Sequence, residues 1–163
     1  NREAEISIHL ERPSADQLVT RKLTDYRLAL YASRGYLARN PPIEKREDLA
    51  AHAWIDYVDD LLFSQELKFL NSFCRNPKVV FHSTSVIAQH QAARSGLGIA
   101  VLPCFMADGD GELVPLLPAE GIQRSYWISS RRELHKSVRL RVLWDYVVEL
   151  CAREQGLLLG ESR

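Results

Sequence analysis

The sequence predicts an α/β fold with parallel strands, on three observations. Strand-like segments alternate with helix-like ones along the chain, the order that builds a sheet covered by helices. From Ser83 to Pro103 a helix, a glycine turn and a strand follow one another without interruption. Within that unit Ile99 to Leu102 is an unbroken apolar run closed by Pro103, the pattern of a strand buried on both faces.

The unit from Ser83 to Pro103 organises the rest. Ser83, Thr84 and Ser85 are hydroxyl residues suited to capping a helix start, and Gly96 stands where a left-handed C-terminal cap is wanted. Before it, Ile6, Ile8 and Leu10 alternate with Ser7, His9 and Glu11, predicting a strand with one buried face. Leu18–Leu23 reads as a weaker strand and Leu28–Ala32 as a deeper one that Ser33 ends. Residues 47–50 allow one helical turn at most, and Trp54–Val58 reads as a strand stopped by Asp59 and Asp60. Ser64 is placed to cap a helix over 65–74, on which Leu67, Leu70 and Cys74 form one stripe and Phe69 and Phe73 a second, for the core or for a partner subunit. Lys78–His82 is the next strand.

After Pro103, Asp108-Gly109-Asp110-Gly111 has turn chemistry. Leu113–Leu117 and Tyr126–Ser129 read as strands, and about 137–153 as a long helix. That helix carries Val138, Leu143, Tyr146, Val147, Leu150 and Cys151 mostly on one face, and a Glu149–Arg153 pair four apart. The tail from Gly156 is expected to fray. The chain opens on Asn1-Arg2-Glu3 rather than a methionine, so a piece of something longer is expected.

Composition narrows the function. At 163 residues, 46% hydrophobic and 26% charged, the chain has the make-up of a globular protein. Its 21 basic residues equal its 21 acidic ones, which gives no long-range attraction to nucleic acid or anionic lipid. No stretch approaches the length of a membrane span. The three cysteines, Cys74, Cys104 and Cys151, have no metal-like spacing and read as buried apolar residues in a reducing compartment.

Catalytic patterns fail one by one. Arg94-Ser95-Gly96-Leu97-Gly98 is not a Gly-x-Ser-x-Gly elbow, and Ser95 falls at a helix end. The five histidines are scattered, so no metal site is expected, and Gly96-Leu97-Gly98 follows a helix and lacks the third glycine of a dinucleotide fingerprint. Asp56, Asp59 and Asp60 read as strand-end solvation rather than an acid/base pair. No catalytic residue, cofactor or metal is assigned, and an enzyme is not expected. What remains is a binding seat: Ser83–Ser85 lie where a strand passes into a helix, and such a positive helix end suits a carboxylate or similar small anion. Capping alone also accounts for these hydroxyls.

The signature Ser-x-x-x-x-x-Gln-x-x-Ala-x-x-Gly-Leu-Gly-Ile-Ala-Val-Leu-Pro, from Ser83 or Ser85 to Pro103, resembles the core of the effector-binding domain of LysR-type transcriptional regulators. Glu5–Leu10, Leu18–Ser33 with Tyr36–Arg39, Asp48–Ile55, Arg131–Leu134, Val138-Arg139 and Asp145-Tyr146 are similar to further family motifs in the same order. The resemblance implies a two-lobed fold of the periplasmic-binding-protein type 2 kind, with a small-molecule effector held between lobes. Residues 33–121 would form a complete second lobe with the hinge, 1–32 and 122–155 part of the first, and 156–163 a tail. The family's effector contacts match Ser33, Asp56, Tyr57, Ser83, Thr84, Ser85 and Pro103 or Cys104. The implied setting is cytoplasmic, with a homodimer or tetramer of the full-length protein, DNA bound through an N-terminal winged helix-turn-helix outside this chain, and no membrane. A solute-binding protein of a transporter is the alternative on the same fold. The strand at Ile6–Leu10 is expected to need covering by a neighbouring chain, and Phe69 and Phe73 are candidates for the dimer contact.

Overall fold

The computed structural model describes residues 5–59 and 65–161, and the chain divides into two compact units. One takes Asn1–Tyr26 with Gln123–Arg163, the other Arg27–Ile122.

In the first unit, strand β1 (Ile6–His9) pairs antiparallel with β7 (Ile122–Arg131), aligning Ile6 with Ser130 and His9 with Trp127. β7 neighbours β2 (Leu18–Ser33), whose first half belongs here. His9 Nε2 and Ser129 Oγ lie 2.7 Å apart, and the Tyr26 and Tyr126 rings stack with centroids 4.1 Å apart. Helix α4 (Val138–Arg153) buries Leu140 and Trp144, the latter edge-on to His135. The expected buried face is thus displaced: Val138, Val142, Leu143 and Tyr146 are exposed. The reason is periodicity, since Leu140, Trp144, Val147 and Cys151 also lie on one side of a 3.6-residue helix and carry more contact area. Arg153 pairs with Glu154 at 3.1 Å instead of Glu149. Residues expected to fray form α5 (Gln155–Leu159), closed by Gly160 in the left-handed conformation.

In the second unit, β2 continues between two antiparallel neighbours, β5 (Ile99–Pro103) and β6 (Leu113–Leu116). β3 (Ala53–Asp56) runs parallel to both β5 and β4 (Lys78–His82). The weaker and deeper strand segments of the sequence are therefore one strand of 16 residues. All of β5 is buried, as its unbroken apolar run predicts. Helix α2 (Val86–Arg94) packs Ala92 and Ala93 into the core around Tyr31, Ile55 and Leu102. Short helices α1 (Arg34–Leu37) and α3 (Cys104–Ala107) follow β2 and β5, and 46–51 is a short 3-10 helix.

The predicted helix over 65–74 is not formed. Two 3-10 turns, Gln65–Leu67 and Leu70–Ser72, take its place, carried by bonds such as Lys68 N–H to Gln65 O and Phe73 N–H to Leu70 O. Asn71, Ser72 and Phe73 are weak helix formers, and the tighter turns bury both apolar stripes: Leu67, Phe69, Leu70, Phe73 and Cys74 are all in the interior. Phe69 and Phe73 are core residues of their own chain, which withdraws them as a dimer contact. The expected Ser64 cap, and Asp60, lie outside the described residues.

Candidate functional site

The parallel strands β3, β4 and β5 end on a common rim at Asp56, His82 and Pro103. Asp56 aligns with His82 in register. One residue on, the Ser83 N–H donates to the Asp56 carbonyl at 3.0 Å, so the exit of β4 is fastened to the end of β3. Ser83 Oγ accepts from the Ser85 N–H at 3.1 Å, and Ser85 caps α2 by accepting from the Ala88 N–H at 3.4 Å. Thr84, Ser85 and Ile87 are exposed around this helix start, where the dipole presents partial positive charge. The far end of α2 closes as the glycine predicts: Gly96 has φ +80°, its N–H reaching Ala93 O and that of Leu97 reaching Ala92 O.

Gln89 was given no role by the sequence reading and has one. It is 1% exposed, and its amide donates to the Ser83 carbonyl at 3.1 Å, so the buried side of α2 sets the orientation of the hydroxyl turn. Its position six residues after Ser83, one helical turn into α2, was the available signal.

Asp56 and Tyr57 open onto a cleft of about 300 Å³ that also takes in Asp59, Lys68, Asn71 and His82. Tyr57 is itself buried, edge-on to Phe69 with centroids 6.2 Å apart. Burial lifts the Asp56 carboxyl above its ordinary value of 3.8, and Asp59 adds to this; the Tyr57 N–H at 2.7 Å and His82 oppose it. A folded chain that holds this proton more tightly than the unfolded chain loses stability as pH rises through the window above 3.8. Asp56→Asn is expected to raise the melting temperature at pH 7 and to leave it unchanged near pH 3, measured by thermal denaturation at both. A variant less stable than wild type at pH 7 contradicts this.

Pro103 and Cys104 are buried at the end of β5, with Pro103 aligned to Leu28. Ser33 departs from the expected set. Because β2 runs antiparallel to β5, its carboxyl end lies beside the beginning of β5, on the rim opposite Pro103: Leu28 pairs with Pro103 and Tyr31 with Ala100. The Ser33 hydroxyl caps α1, accepting from the Tyr36 N–H at 3.1 Å, and abuts Gly96. The rule that ligands gather at the carboxyl ends of strands holds for the parallel members and does not carry Ser33 with them.

A rim of parallel strand ends, a helix start faced with hydroxyls and an adjoining polar cleft define the ligand-binding class of open α/β domains. The chain belongs to the LysR substrate binding domain family, whose model matches residues 1–152. It is 29% identical over 161 residues to the HTH-type transcriptional regulator CrgA of Neisseria meningitidis serogroup C (strain 8013), covering 91% of this chain and 52% of that protein. The chain thus spans about half the length of the curated relatives it matches. Among solved structures it resembles the CrgA regulatory domain from Neisseria meningitidis, with TM-score 0.76, 26% identity and coverage of 91% of this chain and 76% of that one. The regulatory domain of AphB in Vibrio vulnificus (TM-score 0.67, 21% identity, 90% and 75% covered) and that of CcmR from Synechocystis PCC6803, solved in complex with 2-PG (0.65, 23%, 91% and 74%), share the fold. The family resemblance and the α/β class read from the sequence both hold, and the transporter alternative gives way to the regulator.

Proposed function

We propose that the chain is the effector-sensing part of a LysR-type transcriptional regulator, with a carboxylate or similar small anion as its effector. The full-length protein would act in the cytoplasm as a homodimer or tetramer that binds DNA through a winged helix-turn-helix. The observation that carries the site is the bond between the Ser83 N–H and the Asp56 carbonyl, which joins two carboxyl-terminal strand ends beside the exposed start of α2. The proposed contacts are the hydroxyls of Ser83, Thr84 and Ser85, the Asp56 carboxyl, Tyr57 and the Pro103-Cys104 corner. Binding at this rim changes the regulator's affinity for its operator, and linkage requires operator DNA to change effector affinity by the same factor.

The test is a thermal-shift screen of small carboxylates on the full-length protein, since a ligand selective for the folded state raises the melting temperature by mass action. Thr84→Val, at an exposed side chain of nearly unchanged shape, is expected to leave the unliganded melting temperature unchanged. It is expected to weaken the best carboxylate about tenfold, the scale of one lost hydrogen bond to a charged group. A carboxylate that binds Thr84→Val as tightly as wild type removes the seat from the proposal.

A further inference from the structure

We propose a second ligand site, in the first unit, for a small dianion. Two clefts, of about 450 and 370 Å³, open between the loop that follows β1 and the turn that follows β7, and they share Asp16 and Arg132 as lining residues. Each has the volume of a small-molecule pocket. Arg12 lines the first, Arg131 and Lys136 line the second, and all are exposed with Arg132. Four cations therefore meet two lining carboxylates, those of Asp16 and Glu133, in a chain whose formal net charge is zero.

The cations stand on a braced frame. The Arg132 N–H donates to Gln17 O at 3.0 Å, tying the β7 turn to the strand start, and its guanidinium lies 3.4 Å from Asp16 O. The Arg12 guanidinium is held over the Trp127 ring, 5.6 Å from its centroid. Planar guanidinium groups suit the paired oxygens of carboxylates and phosphates. The surplus of two positive charges is met by a dianion, a phosphomonoester or a dicarboxylate, rather than by a monoanion. The site is separate from the rim at Ser83–Ser85 and does not depend on it.

Titration calorimetry of the full-length protein with inorganic phosphate and with succinate, each against sodium chloride of matched ionic strength, tests the proposal. Saturable binding of at least one is expected, and which of the two saturates separates the phosphate source from the carboxylate source. Arg132→Gln combined with Lys136→Gln is expected to weaken that binding about tenfold or more, whereas Thr84→Val leaves it unchanged. Glu133→Gln, which keeps the frame and removes a competing carboxylate, is expected to tighten it. Heats that follow ionic strength alone, or an affinity that neither set of variants moves, overturn the proposal. Variants that weaken duplex DNA binding while neither small ion saturates overturn it as well, because the groove would then serve a polyanion.

Discussion

Gly98→Ala is expected to destabilise the second unit by about 3 kcal/mol, the upper range for overpacking a filled interior. A methyl at Gly98 would stand 2.5 Å from the Ala53 carbonyl oxygen and 2.8 Å from its carbon. Neither atom belongs to a side chain that could swing aside. The parallel pair β3–β5, joined at Trp54–Ile99 and Ile55–Ala100, must part to admit the methyl, and the same two strands deliver Asp56 and Pro103 to the rim. Effector affinity should fall together with stability. Gly109→Ala, at a turn with nothing within 4 Å of the added carbon, is the comparison. Urea denaturation giving equal midpoints for the two variants would show that β3 and β5 are not so closely apposed.

Tyr36→Phe is the second large effect, at about 3 kcal/mol. The Tyr36 hydroxyl accepts from the Ala53 N–H at 3.0 Å and lies 3.0 Å from His52 Nδ1. With its acceptor side occupied, the hydroxyl gives its proton to His52, which leaves the imidazole neutral and protonated at Nε2. Removing one oxygen strands the backbone donor and the ring acceptor, each costing about 1–3 kcal/mol when buried. Burial also holds the His52 imidazole below its ordinary value of 6.5, against a smaller opposing pull from Asp48. The unfolded chain therefore binds the proton first, and stability is full above about 6.5 and declines as pH falls below it. His52→Gln should flatten that decline between pH 7 and pH 5. A wild-type stability curve already flat across this interval would rule out the neutral imidazole as its source.

Local chemistry made much of the fold legible. The hydroxyl start, the glycine stop and the buried run from Ile99 were readable because capping and burial are written in adjacent residues. The family signature is carried by the same stretch. Strand direction was not readable. Ser33 ends a strand as Asp56 and Pro103 do, and only pairing partners far along the sequence show that its strand runs the other way. The 65–74 segment misled for a related reason: its apolar spacing satisfied a helix, but tertiary burial of both Phe69 and Phe73 selected two tighter turns. On α4, two apolar stripes compete, and amphipathic spacing alone does not say which one meets the sheet. Gln89 was hidden because a polar residue on a helix reads as solvent-facing until its acceptor, the Ser83 carbonyl, is located.

Among the described residues, β1 has a neighbour on the β7 side alone, and the outward Ile8 side chain is 56% exposed. A strand so placed offers a row of amides and carbonyls to any extended peptide of matching length. Prepared as an isolated polypeptide, the chain should self-associate edge to edge with rising concentration. Ile8→Lys would then keep it dispersed, as light scattering would report, while leaving the hydroxyl turn at Ser83 untouched.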